Sequence, residues 1–292
     1  MLALLICNYN KDIGQLLEEI HTEISNFDLS VEVLIGEDCP DSLYNENNKI
    51  QCEKLGFRYI INLQNLGRSK NRNHLASLSN KPFLVFMDGD ALYTNPKFLT
   101  NYLDFSKCNS EITVGGVSYD FGRPDDKDLL LHWKYGRVRE GHANTNNNFH
   151  SFNFMIKKEI FEKLKFSEDF IGYGYEDLEF AIRAKNAGIV VKYIDNPLFH
   201  YGLNKTNIFL QNHLDAMTNL YYWNRGSNFL IKNKIVNANE LLKRVGLNKI
   251  FANAVKLFQP LFINQLKSST PILYLLDLIK LQKYIELDIK NQ

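Results

Sequence analysis

Two rhythms of apolar and polar positions alternate along the first ninety residues. Residues 2–7 form an unbroken apolar run that predicts a buried strand, and 13–24 carries apolar residues at 13, 16, 17, 20 and 24, the spacing of one helix face. The pattern repeats with a strand at 31–35, a helix at 43–55, a strand at 57–61, a helix at 69–78 and a strand at 83–87. Strands alternating with helices predict an α/β fold whose largely parallel sheet is covered on both faces.

Beyond residue 90 the rhythm loosens. A strand is expected at 112–119, a Trp- and Tyr-bearing segment at 129–138, a polar Asn-rich loop at 141–148, a strand at 152–156 and a helix at 158–164. The Gly-flanked aromatic stretch Phe170-Ile171-Gly172-Tyr173-Gly174-Tyr175 opens into a helical run at 178–187, closed by Gly188, and a strand follows at 189–194. From about residue 206 the pattern is helical throughout, at 207–223, 239–245, 249–267 and 271–289, with Pro260 expected to kink the third of these. A first domain over 1–204 and a helical extension over 205–292 are therefore expected.

Composition changes this picture in one respect. With 292 residues, 45% of them hydrophobic, the chain can bury a full core, and 34 basic against 33 acidic residues give no argument for a nucleic-acid partner. The distribution is uneven. Residues 201–292 hold 12 basic and 5 acidic side chains, net +7, which leaves the first 200 residues net −6. The four cysteines, Cys7, Cys39, Cys52 and Cys108, lack metal-ligand spacing and are expected to be buried thiols of a reducing compartment. The N-terminus lacks the basic n-region of a signal peptide, no run reaches the length of a membrane span, and a cytoplasmic protein is expected.

Candidate chemistry gathers where a parallel sheet places its ligands, at the C-terminal ends of strands. The first predicted strand ends at Asn8-Tyr9-Asn10-Lys11, the second at Glu37-Asp38 and the fourth at Asp88-Gly89-Asp90. Asp38 has the chemistry to accept hydrogen bonds from a base, and Tyr9 offers a ring to pack against it. In an extended segment Asp88 and Asp90 face the same way while Gly89 lets backbone come close; two hard oxygen donors there suit a divalent cation carrying phosphates. An isolated Asp-x-Asp is more often a polar turn, so the motif gains weight only from its neighbours. Arg68 and Arg72, at the entrance of a helix, are placed to reach a phosphate. Glu176-Asp177 starts another helix beside the aromatic loop, where a carboxylate can take a proton from an attacking hydroxyl. His200 follows a Pro-bounded turn and can join Asp oxygens around a transition-type cation. Trp133, Tyr135 and Asn153 are further candidates for ligand contact.

Taken in order, these motifs resemble the family 2 glycosyltransferases of the GT-A fold, from residue 2 to about 203. The resemblance rests on Ile6-Cys7-Asn8-Tyr9-Asn10, on the 33–42 segment, on Asn65-Leu66-Gly67 with Arg72-Asn73, and on Asp88-Gly89-Asp90. The second segment departs from the usual Asp-Asp-Gly-Ser form, which leaves open whether Glu37 or Asp38 meets the base. Gly172-Tyr173-Gly174-Tyr175-Glu176-Asp177 with Arg183 is similar to the Gly-x-Gly-x-Glu-Asp signature of galactosyl- and N-acetylgalactosaminyl-type transferases. The resemblance implies an inverting transfer of a hexose or N-acetylhexosamine from a UDP-sugar to a saccharide or lipid-linked saccharide, in surface polysaccharide or glycoconjugate synthesis.

The same resemblance implies the site. Asp177 takes the catalytic base position; Asp88, Asp90 and His200 hold Mn2+ or Mg2+; Tyr9, Asp38, Arg68, Arg72, Asp88 and Gly89 face the nucleotide; Tyr173, Gly174 and Glu176, with Asn153 and Trp133, face the sugars. A nucleotidyltransferase of similar fold would carry a Gly-rich, Arg-bearing loop after the first strand, and Asn8-Tyr9-Asn10-Lys11-Asp12 is not that loop. A noncatalytic nucleotide- or carbohydrate-binding module is the alternative of a different class. The basic helical extension fits a cap, a homodimer contact or a peripheral attachment to an anionic membrane at its inner face.

Overall fold

The computed structural model describes residues 2–108, 110–141, 149–227 and 230–291, so most of the Asn-rich loop expected at 141–148 lies outside the described residues. The chain forms two compact units: 1–121, 137–169 and 176–202 make the first, and 122–136, 170–175 and 203–292 the second.

The first unit is built on β1 (Leu2–Asn8), β2 (Val31–Glu37), β3 (Arg58–Ile61), β4 (Phe83–Asp88), β5 (Ala91–Tyr93), β6 (Ile112–Val114), β7 (Val117–Ser118), β8 (Asn153–Lys157), β9 (Val191–Tyr193) and β10 (Leu198–His200). Seven strands pair in the order β3-β2-β1-β4-β8-β6-β9, and only β8 runs against the others. This is the expected mostly parallel α/β sheet. Period-two alternation along β1 explains its two covers. Leu2, Leu4 and Ile6 pack with Leu16, Leu17 and Ile20 of α1 (Gly14–Asn26) and with Phe98, Leu99 and Tyr102 of α4 (Phe98–Ser106). Ala3 and Leu5 turn to the other face, where Leu75 of α3 (Arg68–Ser77) joins Ile160 and Phe161 of α6 (Lys158–Leu164) and Phe180 and Ala184 of α7 (Glu176–Asn186). The helix α2 (Asn45–Leu55) and the short α5 (Leu130–Tyr135) complete this numbering, α5 belonging to the second unit.

Several elements differ from the sequence expectation. The run at 112–119 divides into β6 and β7 at Gly115-Gly116: Gly116 turns at φ 90°, and a Cβ on Gly115 would stand 2.6 Å from both Asn153 Nδ2 and the Tyr102 hydroxyl. The short β5 and β10 were not predicted; with β7 they form a second, three-stranded sheet in which β10 is central. Of the cysteines only Cys52 is buried; Cys7 and Cys39 are half-buried, and Cys108 is exposed in the turn that ends α4, where no core reaches it.

The second unit adds α8 (Thr206–Gly226), α9 (Lys234–Arg244), α10 (Asn248–Leu266) and α11 (Leu273–Lys290). Leu131, Phe209, Leu210, Leu266, Leu276 and Ile279 form its own core. α9 starts five residues earlier than predicted because the Asn233 side chain caps it, accepting from the Val236 N–H at 3.0 Å. α10 continues through Pro260.

Candidate active site

The end of β1 is tied to the end of β2 by one carboxylate. Glu37, fully buried, accepts from Asn8 Nδ2 at 2.6 Å, the Asn10 N–H at 2.9 Å, the Cys39 N–H at 2.9 Å and the Tyr59 hydroxyl at 3.1 Å. A carboxylate has about four acceptor positions, so Glu37 is saturated by the protein and has nothing left for a base. Its neighbour Asp38 takes Asn62 Nδ2 (2.9 Å) and the Leu66 N–H (2.8 Å) on one oxygen and the Gly67 N–H (2.8 Å) on the other. That grip shapes the loop from which α3 presents Arg68. Tyr9 stands on the rim with its ring 55% exposed. Gly89 sits in a tight corner: its N–H donates to Cys7 O at 2.8 Å, and a side chain would run into Asn8 Oδ1.

The two aspartates after β4 diverge. Asp88 turns to Arg72, whose Nη2 lies 2.5 Å from Asp88 Oδ1. Arg72 is 1% exposed and sits 5.6 Å over the Phe166 ring. Burial acts against its charge, but the carboxylates of Asp88, Asp177 and Glu176 outweigh that and raise its pKa. The Asp88 carboxyl is pushed up by burial, opposed by Arg72. Arg72 Nε and Nη1 have no hydrogen-bond partner among the described residues.

Asp90 faces the other way, its Oδ2 3.3 Å from His200 Nε2. Pairing of β10 with β5 makes this contact: His200 lies opposite Ala91, and the Tyr201 N–H donates to Asp90 O at 3.1 Å. Burial disfavours the Asp90 carboxylate, yet His200, Lys11 and Arg68 prevail and hold its pKa down to about 2. For His200, burial opposes charge, and Asp90, Glu140 and Asp88 together raise its pKa.

Three residues that the sequence did not single out complete this corner. The Tyr119 hydroxyl donates to Glu140 and stands 2.9 Å from His200 Nδ1, an arrangement in which Nδ1–H donates to Tyr119 and Nε2 faces Asp90. Gly202 leaves the space for the carboxylate: a Cβ there would overlap Asp90 Oδ2 and stand 2.6 Å from its Cγ. Sequence offered no signal for Tyr119 or Glu140, which lie 81 and 60 positions from His200; Gly202, two residues after it, was the one accessible hint.

The predicted three-ligand set is thus gathered only in part. Among the described residues no group of three or more His, Cys, Asp and Glu side chains is placed to hold a metal ion, and one Asp88 oxygen is engaged by Arg72. Asp90 and His200 remain as a carboxylate and imidazole pair. Such a pair suits a divalent cation that completes its shell with water and substrate oxygens. Gly202→Ala is expected to displace Asp90 and weaken Mn2+ binding by about 10- to 100-fold. Mn2+ titration followed by electron paramagnetic resonance reads this directly, and unchanged affinity would remove Asp90 from the site.

At the start of α7, Asp177 Oδ2 accepts the Ser151 N–H at 3.1 Å, while Oδ1 is buried and has no partner among the described residues. Glu176, 4% exposed, lies 3.9 Å from Arg68 through Oε1, and its Oε2 has no partner among the described residues; burial and the neighbouring Asp177 raise its pKa. Arg183 is structural, donating to Glu179 and to the carbonyls of Leu164 and Lys165. Cys7, Arg68, Arg72, Asp88, Asp90, Glu176, Asp177 and His200 all belong to the first unit.

The other predicted substrate residues have different surroundings. Asn153 is a correction: 1% exposed, its carboxamide accepts from the Tyr102 hydroxyl (2.6 Å) and donates to Gly116 O (3.0 Å) and Asn196 O (2.8 Å), so it ties strands together instead of meeting an acceptor. Tyr173, Gly174 and Trp133 belong to the second unit. There Asn219 of α8 donates to the carbonyls of Ile171, Tyr173 and Gly174 at 3.0–3.2 Å. Gly174, at φ 97°, is required by Ala216, which a Cβ would meet at 2.6 Å. Trp133 is half-buried in α5.

Against known proteins, the profile of Glycosyl transferase family 2 matches residues 3–165, more than half of the chain. The chain belongs to glycosyl transferase family 2. A comparison with curated proteins finds no match. Among solved structures, this family 2 chain is similar to TarS residues 1–349 from S. aureus in complex with UDP-GlcNAc, at 14% identity and a TM-score of 0.51, covering 100% of this chain and 92% of that one. It is also similar to the mannosyltransferase PcManGT from Pyrobaculum calidifontis in complex with GDP-Man and Mn2+ (13%, TM-score 0.54, 78% and 65%). Glucosyl-3-phosphoglycerate synthase from Mycobacterium tuberculosis, bound to Mn2+, UDP and glucosyl-3-phosphoglycerate, matches at 16% and a TM-score of 0.50, over 75% and 78%. The match to a longer form of TarS spans 40% of that protein. At these identities the similarity shows the fold, and the GT-A expectation holds.

Proposed function

We propose that this family 2 chain is an inverting, metal-dependent glycosyltransferase moving a hexose or N-acetylhexosamine from a UDP-sugar to an acceptor hydroxyl, with Asp177 as the base. The observation that carries this reading is Asp177 itself: one oxygen is fixed by the Ser151 N–H and the other is buried without a partner among the described residues, in the same unit as the Asp90 and His200 pair. A carboxylate so held is oriented to receive a proton.

In the proposed reaction the acceptor oxygen attacks C1 of the sugar from the face opposite the diphosphate. Its proton passes to Asp177, the C1–O bond to phosphate breaks, and the nucleoside diphosphate departs with that electron pair. Arg68, half exposed beside Glu176, is assigned to the diphosphate, while Arg72 pairs with Asp88. Mn2+, for which the mixed carboxylate and imidazole set is better suited than Mg2+, would be held by Asp90 and His200 and would stabilise the leaving diphosphate. Tyr9 and Asp38 are assigned to the base, Glu176 to a sugar hydroxyl. The Gly-x-Gly-x-Glu-Asp stretch supports a galactosyl- or N-acetylgalactosaminyl-type donor, a saccharide or lipid-linked saccharide acceptor, and a place in surface polysaccharide or glycoconjugate synthesis. Residues 1–204 are assigned the reaction and 205–292 a helical extension, whose compact unit also takes in 122–136 and 170–175.

Release of UDP from a panel of UDP-sugars, with and without Mn2+ and with saccharide acceptors, tests this reading. Metal-dependent release that rises with one acceptor is expected; nucleotide binding without turnover of any donor would leave only a binding module.

A further inference from the structure

α10 carries a face that its own unit does not use. At about 100° per residue, Ile250, Leu257 and Leu261 fall within about 40° of one another on the helix. They are 64%, 75% and 64% exposed, whereas Ala252, Val255 and Leu266 on the opposite side are buried. Phe258, 49% exposed, widens this stripe along one side. Lys249, Lys256 and Lys267 align about 100–120° away along its other flank, on a line of their own. Of these, Lys256 reaches Glu286 at 3.5 Å, with both side chains exposed.

The surrounding sequence repeats this character. From 241 to 276 there are five cations, Lys243, Arg244, Lys249, Lys256 and Lys267, and no Asp or Glu. Leu241, Val245, Leu247 and Tyr274 in the same stretch are 46–79% exposed. Exposed leucines and phenylalanine beside a row of lysines form the pattern of a helix lying in a membrane interface, with its apolar face among the upper acyl chains and its lysines at the phosphates.

We infer that the α10 face docks on an anionic lipid surface. Charge complementarity chooses this occupant over a second copy of the chain. In an antiparallel two-fold pairing the same flank meets itself, so the lysine rows approach one another, and only Lys256 has a carboxylate, Glu286, beside it to offset the repulsion. A bilayer bearing anionic headgroups supplies both the opposite charge and the apolar medium. The docking is peripheral, since no described helix is long and apolar enough to cross a membrane. This inference does not depend on the transfer reaction or its residues.

The test is flotation of the full chain with vesicles of phosphatidylcholine alone and of phosphatidylcholine mixed with phosphatidylglycerol. Binding to the mixed vesicles, weakening as salt is added, is expected. The variant Lys249→Gln/Lys256→Gln/Lys267→Gln should lower partitioning by roughly a hundredfold, and Leu257→Ser/Leu261→Ser should lower it without changing the charge. These side chains are exposed, and far-UV circular dichroism confirms that each variant is folded. Failure of the native chain to float with mixed vesicles would overturn the inference, as would equal binding to both vesicle types. A dimer that Leu257→Ser/Leu261→Ser dissociates, in a chain that ignores vesicles, would assign the face to a second copy.

Discussion

Asp177→Asn is expected to lower kcat for sugar transfer by about 10²–10⁴-fold, the range for loss of a positioned general base. Asparagine has nearly the same shape and its carbonyl oxygen can still accept the Ser151 N–H that Asp177 accepts at 3.1 Å, so the start of α7 should stay in place. What disappears is the capacity to take a proton. The donor KM should therefore change little while kcat and kcat/KM fall together, the signature of an interaction made only in the transition state. Initial-rate measurements over a donor titration, with circular dichroism to confirm folding, check this. A folded variant with near-normal kcat would show that another group takes the proton.

The largest effect on stability is expected at Arg72. Arg72→Met keeps much of the side-chain length over the Phe166 ring but removes the partner that lies 2.5 Å from Asp88. Breaking a buried ion pair from one side leaves an uncompensated charge and typically costs 3–5 kcal/mol; because the Asp88 side chain retains 21% exposure, a loss of about 3 kcal/mol is expected. Urea unfolding should show a lower midpoint at an unchanged slope. Pairing Arg72→Met with Asp88→Asn separates charge from packing. If the ion pair carries the effect, the double variant is less destabilised than the two single losses combined; simple additivity would assign the loss to the stacking on Phe166 instead.

Much of the first unit was legible in the sequence because it depends on local period. β1, β2 and β4 are buried on both faces, so β1 and β4 read as unbroken apolar runs and the 31–35 run of β2 is interrupted only by Glu32, and α1 shows its core stripe directly. The site residues at strand ends were legible for the same reason: a strand's end fixes where Asn8, Asp38 and Asp88 emerge. Short elements were not. β5 and β10 have three residues each and are held by pairing with one another across more than a hundred positions, a contact that no local pattern encodes.

The division extends to the chemistry. Residue types and their order indicated a carboxylate pair, a histidine, two arginines and a Glu-Asp helix start. Only the tertiary structure distinguished like from like. Glu37 and Asp38 are adjacent carboxylates, yet Glu37 is saturated by four internal donors while Asp38 is not. Asp88 and Asp90 are two residues apart, yet one answers Arg72 and the other His200. Asn153 was a polar candidate for acceptor contact, but its carboxamide is occupied within the protein. Sequence alone determines which groups are present and, through their period, which elements carry them. Which groups remain available to a ligand depends on hydrogen bonds and charges supplied by distant segments, and those partners exist only once the chain has folded.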